Sequence, residues 1–261
     1  MNNPIGVFDS GVGGTSIWRE IHGLLPKEST IYLADSKNAP YGEKSRDEIV
    51  ELCIKNTELL LRKKCKIVVV ACNTATTNAI DYLRSNYDIP FIGIEPAIKP
   101  AALRTKTKKV GVLATKGTLS SGLFYNTSKL YTEGIEIIEQ EGKDLVKLIE
   151  SGEVRSNEMK TLLQVYLKPM LLANIDCLVL GCTHYPYLIP ILREILPNQV
   201  KIIDSGEAVA RQTKIILEKN NLLNQENNQS IENIFYSNAA STKVLSSLLM
   251  ENNYQVSQLD F

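Results

Sequence analysis

Two stretches decide the reading of this chain: Ile67-Val68-Val69-Val70-Ala71-Cys72-Asn73-Thr74-Ala75 and Leu178-Val179-Leu180-Gly181-Cys182-Thr183-His184-Tyr185. Each starts as an apolar run of strand length, passes through a small residue (Ala71 or Gly181), and reaches a cysteine followed by hydrogen-bonding side chains. A continuous apolar run bounded in this way predicts a strand buried on both faces of a parallel sheet. The carboxyl end of such a strand, just before the next helix, is where open parallel sheets bind ligands. The sequence therefore offers two such ends, each carrying one thiol.

Working outward, the runs on either side fall into strand and helix in alternation. Ile5-Gly6-Val7-Phe8 predicts a strand, followed by the glycine loop Asp9-Ser10-Gly11-Val12-Gly13-Gly14 and a helix from about Ile17 to Leu25. That loop is neither a dinucleotide fingerprint nor a phosphate loop, because Ser16 stands where a third glycine belongs and no Gly-Lys-Ser/Thr follows. Strands at 31–34, 67–71 and 91–94 complete a first parallel lobe. A basic segment, Arg104 to Lys109, predicts a solvated loop and marks a restart. Strands at 110–114, 135–138, 178–181 and 201–203 then make a second lobe. Strand 110–114 lies 105 residues after strand 5–8, and Cys182 lies 110 residues after Cys72, offsets close enough to indicate an internal duplication. The expected architecture is α/β: two pseudo-symmetric lobes, each a mainly parallel sheet flanked by helices, with the active site in the cleft between them. Expected boundaries are 1–97 plus 208–261 for the first lobe and 98–207 for the second. A late strand at 233–237 and a helix from Ser241 to Glu251 are predicted in the tail.

Composition narrows the function. Lys+Arg and Asp+Glu both number 29, so the net charge is zero and no broad footprint for nucleic acid or an anionic membrane is expected. No apolar run approaches the roughly 20 residues of a membrane-spanning helix. The start, Met1 to Ile5, has neither a basic n-region nor an apolar h-region. Five scattered cysteines without close pairs suggest reduced thiols in a cytoplasmic enzyme or binding protein, with no metal site. Cys53, Cys65 and Cys177 read as packing residues and His22 as a helix-surface residue.

A thiolate is the reactive form of cysteine, and a helix N-terminus lowers its pKa. Cys72 and Cys182 both precede a predicted helix, whose amides are expected to favour the anion. Two such groups closing on one small ligand can act as paired acid and base. One removes a proton from one face of a carbon and the other delivers a proton to the opposite face, which inverts the centre. His184 is placed to assist Cys182. Three other readings remain: a racemase acting on aspartate, a hydrolase with Cys182 as nucleophile and His184 as base, and a two-lobe binding protein without catalysis. For the hydrolase, residues two apart on a loop are expected to be poorly placed for a nucleophile–base contact.

Five segments carry a specific resemblance: I-G-V-F-D-S-G-V-G-G at 5–14, D-S-K-N-A-P-Y-G at 35–42, V-V-V-A-C-N-T-A at 68–75, G-I-E-P-A at 93–97 and L-V-L-G-C-T-H-Y-P at 178–186. Together they resemble the glutamate racemases of the aspartate/glutamate racemase superfamily. The resemblance implies cofactor-independent interconversion of L- and D-glutamate, with D-glutamate supplied for peptidoglycan. It implies Cys182 as the base toward L-glutamate and Cys72 as the base toward D-glutamate, assisted by His184, Asp9 and Glu150. It places Asp9, Ser10, Pro40, Tyr41, Gly42, Asn73, Thr74, Thr115, Thr118, Thr183 and His184 around the substrate. A homodimer is the assembly it suggests, with no nucleic-acid or membrane partner. Two departures from the pattern stand out: Lys147 in Leu145-Val146-Lys147-Leu148-Ile149-Glu150, where proline is usual, and Ser237-Asn238-Ala239-Ala240 in place of a Gly-Asp.

Overall fold

The computed structural model describes residues 3–224, 230–249 and 254–261. Its first sheet contains β1 (Ile5–Asp9), β2 (Thr30–Ala34), β3 (Ile67–Val70) and β4 (Phe91–Gly93). Between them run α1 (Thr15–Leu24), α2 (Arg46–Arg62) and α3 (Asn73–Asn86), and α4 (Ile98–Arg104) follows. The second sheet contains β5 (Lys109–Ala114), β6 (Glu136–Glu141), β7 (Cys177–Gly181) and β8 (Lys201–Ile203). Helices α5 (Lys116–Leu119), α6 (Gly122–Tyr131), α7 (Leu145–Glu150), α8 (Asn157–Leu172) and α9 (Ile189–Ile195) connect these strands. The chain then returns through α10 (Gly206–Lys219) to β9 (Asn233–Ser237), α11 (Lys243–Leu248) and β10 (Gln255–Gln258) on the first sheet.

Strand order is β10-β9-β2-β1-β3-β4 in the first sheet and β6-β5-β7-β8 in the second. All pairings are parallel. The run β2-β1-β3-β4 has the same connectivity as β6-β5-β7-β8, so the duplication read from the offsets is present as topology. In each lobe chain order reverses beside the central strand, between β1 and β3 and between β5 and β7. Crevices of this kind open at the carboxyl ends of the strands. Both cysteine runs sit at these reversals.

The central strands earn their places by burial. Ile67 to Val70 are all 0% exposed, as are Val7, Phe8, Val112 and Leu113. Burying each such side chain contributes about 1.5–3 kcal/mol. Polar residues mark helix starts. Ser45 and Glu48 form a reciprocal capping box on α2, while Ser121 and Ser156 accept amides at the starts of α6 and α8. One apolar cluster spans both lobes, running from Val7, Trp18 and Tyr32 through Leu113 and Leu180 to Val209 and Phe235.

The tail differs from expectation in two ways. The strand predicted at 233–237 forms as β9 on the edge of β2, but the following helix is shorter, Lys243–Leu248, and its predicted end at Glu251 lies outside the described residues. A further strand, β10, pairs with β9 and was not expected. Its sequence, Gln255-Val256-Ser257-Gln258, has only one apolar residue because it is a half-exposed edge. The basic segment after α4 is also less free than expected. Asp176 accepts hydrogen bonds from the Thr105 hydroxyl at 2.5 Å and from the amides of Lys106 and Thr107 at 2.5 and 3.1 Å. His22 is half-buried and stacks on Trp18, with ring centroids 5.0 Å apart.

Candidate active site

Four loops converge where the two sheets face each other, one after each central strand. Asp9 ends β1, Cys72 follows β3, Thr115 follows β5 and Cys182 follows β7. The cavity they enclose is about 10 Å³. The first lobe lines it with Ser10, Cys72, Asn73, Thr74 and the Pro40–Gly42 turn, and the second lobe with Thr115, Val146 and Cys182 to His184. A space of this size accepts about one water. The two lobes thus leave room here for little more than a water.

Each lobe supplies one thiol. Cys72 is the N-cap of α3: its Sγ accepts the Ala75 amide at 3.4 Å and lies 3.4 Å from the Ser10 hydroxyl. The expected helix-end stabilisation is therefore present, but it loses. Burial pushes the Cys72 thiol well above its ordinary range, the negative charge of Asp9 adds to this, and the hydrogen bonds with Ser10 and Ala75 offset only part. Cys72 rests as the thiol.

Cys182 departs from expectation differently. It does not cap a helix: residues 182–184 lead into a 3-10 turn at Tyr185–Leu188, and α9 starts only at Ile189. Its partner is His184, whose Nδ1 lies 3.7 Å from Sγ. The turn brings these residues together, so the expectation that neighbours two apart would be badly placed fails. On its other side His184 Nε2 meets Glu150 Oε1 at 2.5 Å. Burial disfavours the imidazolium, but hydrogen bonds to Cys182 and Glu150, backed by their charges, hold His184 well above its ordinary value.

Asp9, Glu150 and Thr118 sit one layer behind the cavity wall. Asp9, fully buried, accepts the Gly14 and Gly11 amides at 2.8 and 3.2 Å and the Thr183 hydroxyl at 3.3 Å. Burial raises its carboxyl to about 6 against the lowering effect of His184 and the Gly14 amide. Glu150 reaches from α7 into the other lobe, where Oε1 accepts the Val12 amide and Oε2 the Ser36 hydroxyl, both at 2.7 Å. Thr118, Thr115 and Thr74 form a hydroxyl triangle across the lobes, with oxygens 2.8 to 3.3 Å apart. The glycine loop owes its composition to these neighbours. A Cβ on Gly11 would stand 1.9 Å from Glu150 Oε1, and one on Gly13 would stand 2.3 Å from His184 Nδ1.

Two features suit a small polar ligand. Asn73 is 3% exposed and lines the cavity, yet neither its Oδ1 nor its Nδ2 has a protein partner. Buried amides are ordinarily satisfied, so an unmet donor and acceptor facing a cavity mark a place for a polar group. Tyr41 is positioned by Asp35, which accepts its hydroxyl and is also held by Asn38 and Asn238. Asn238 belongs to the segment where the usual Gly-Asp is missing, and here it anchors the turn. Sequence reasoning did not single out Ser36, Val146 or Asp35. Ser36 and Asp35 lie inside the D-S-K-N-A-P-Y-G segment, which was the signal available for them. Among the described residues no group of three or more His, Cys, Asp or Glu side chains is arranged to hold a metal ion, and no helix is long and apolar enough to cross a membrane.

A sequence profile of the Asp/Glu/Hydantoin racemase family matches residues 5–213. The chain belongs to the Asp/Glu/Hydantoin racemase family. It is similar to the glutamate racemase of Herpetosiphon aurantiacus, 46% identical over 232 residues that cover 88% of this chain and 91% of that protein. In structure it is similar to Escherichia coli glutamate racemase in complex with L-glutamate and the activator UDP-MurNAc-Ala (TM-score 0.87, 34% identity, 99% and 98% of the two chains). It also matches the Francisella tularensis enzyme in complex with D-glutamate (TM-score 0.85, 30% identity, 99% and 98%). Both the fold and the family reading of the five motifs are thereby borne out, and the chain is an amino-acid racemase acting on a small-molecule substrate.

Proposed function

We propose that this racemase interconverts L- and D-glutamate by proton transfer at Cα between Cys182 and Cys72. The single observation that carries the reading is one thiol from each lobe on one closed cavity, with unlike partners behind each. With L-glutamate bound, the Cys182 thiolate takes the α-proton on one face. The Cys72 thiol gives its proton to the opposite face, leaving a Cys72 thiolate, a Cys182 thiol and D-glutamate. The reverse passage restores the starting protonation. Positioned general acids and bases of this kind are worth about 10²–10⁴-fold each.

The α-hydrogen is very weakly acidic and the α-carbanion high in energy, so its charge needs fixed donors in a dry site. The Asn73 amide, the Ser10 and Thr183 hydroxyls and the Thr74–Thr115 pair are the groups that face it in this reading. Closure supplies the dryness. The lobes moving in closure are 1–97 plus 208–261 and 98–207. No cofactor enters the scheme. A cytoplasmic location, a homodimer and use of D-glutamate in peptidoglycan follow from the resemblance, and light scattering tests the dimer.

The 3.7 Å contact of Cys182 with His184 favours one rival, the cysteine hydrolase. The discriminating measurement is circular dichroism of L-glutamate with dialysed protein and no added pyridoxal phosphate. Ellipticity decays to zero with wild type, and Cys72→Ser and Cys182→Ser each slow the decay at least a hundredfold. A hydrolase tolerates loss of Cys72 and forms an acyl-enzyme instead. Decay with L-aspartate but not L-glutamate moves the substrate to the shorter acid.

A further inference from the structure

Helix α7 bridges the lobes at two points. At its last residue Glu150 binds Val12 and Ser36 of the first lobe. One turn earlier Lys147 Nζ lies 2.7 Å from Glu43 Oε1, just past the Pro40–Gly42 turn, and 3.3 Å from Asp144 Oδ1. This second bridge sits on the rim. Glu43 and Lys147 line a hollow of about 30 Å³ directly outside the catalytic cavity, and Pro40, Gly42, Thr115 and Val146 line both spaces. Beyond it opens a hollow of about 440 Å³ that Glu43 also borders. A glutamate does not fit the inner 10 Å³ until this rim parts.

We infer that Glu43 and Lys147 form a latch, an ion pair that holds the rim closed, positions α7 with its Glu150, and opens for each molecule that passes. Lys147 is thus a positioning residue, and the departure at this position has a use. The Lys147 and Glu43 side chains are 49% and 52% exposed. Exposed pairs of this kind are weak and screened by salt, as a latch that breaks every cycle requires. The identity of the passing molecule rests on the racemase reading; the latch itself does not.

The test reads opening without substrate. Cys72 and Cys182 are 5% and 8% exposed, so neutral iodoacetamide reaches them only when the lobes part. Alkylation of each is followed by peptide mass spectrometry in wild type, Lys147→Met, Glu43→Gln, the double variant and Lys147→Arg, at low and high NaCl. The latch predicts that both single variants react about threefold faster, that the double is no faster than either, and that Lys147→Arg keeps the wild-type rate. High salt accelerates only wild type and Lys147→Arg. KM for L-glutamate rises in both single variants. Shifts of opposite sign overturn the latch, because they mean that the two charges act separately on thiol acidity or on an anionic substrate. Unchanged or additive rates overturn it too. Wild type that leaves glutamate untouched sinks the racemase reading alone, and the alkylation rates still decide the latch.

Discussion

Asp9 is the residue whose chemistry is most altered by where the chain puts it. A carboxyl ordinarily at 3.8 stands at about 6 because it is buried. Its ionised form is the one that accepts the Gly11 and Gly14 amides. We expect kcat/KM to fall as pH drops below about 6, equally for both enantiomers because the equilibrium constant of racemisation is one. In Asp9→Asn that acidic limb is gone. Stability runs the opposite way. The folded state holds this proton more tightly than the unfolded chain, so Asp9 lowers stability as pH rises from 3.8 through about 6. Urea midpoints across this range fall in wild type and stay flatter in Asp9→Asn. Gly13 is constrained by contact. Gly13→Ala drives a methyl into the His184 ring, and we expect at least a hundredfold loss of kcat with far-UV circular dichroism retained.

At the scale of elements, hydrophobic patterning located the central strands because burial on both faces leaves an unbroken apolar run. It missed β10 because an edge strand has one exposed face and no such run. The helix expected after Cys182 starts only at Ile189, since Tyr185-Pro186-Tyr187-Leu188 forms a 3-10 turn first. The crossover from α4 to β5 depends on a single side chain. Hydrogen bonds from Thr105, Lys106 and Thr107 outweigh the burial of Asp176 and draw its carboxyl down from 3.8 to about 2. Asp176→Ala removes the shared acceptor of three donors, two of them on exposed residues, and costs about 1 kcal/mol in urea unfolding at pH 7. A lowered carboxyl stabilises above its unfolded value and loses that contribution as pH falls through about 2. The difference between variant and wild type therefore shrinks toward pH 2.

The whole molecule is two lobes around one cavity, with an apolar cluster continuous between them. Shared core couples their unfolding. We expect Trp18 fluorescence, which reports the first lobe, and far-UV circular dichroism, which reports both, to give coincident urea transitions. Two separated transitions would show that the cluster does not bind the lobes into a unit.

From the sequence alone came the parallel α/β class, the duplication, the two thiols and the family, because each is written in local pattern: apolar runs, fixed offsets and short motifs. The pairing of β10 with β9, the reach of Glu150 across to Val12 and Ser36, and the pairing of Lys147 with Glu43 came only from the tertiary structure. These join residues up to 138 positions apart, and no local pattern encodes such a meeting. The same holds for the unlike surroundings of the two thiols. Sequence presents Cys72 and Cys182 as equivalents, whereas packing sets the buried Asp9 carboxylate against the first, which raises its pKa together with burial, and the His184 ring 3.7 Å from the second.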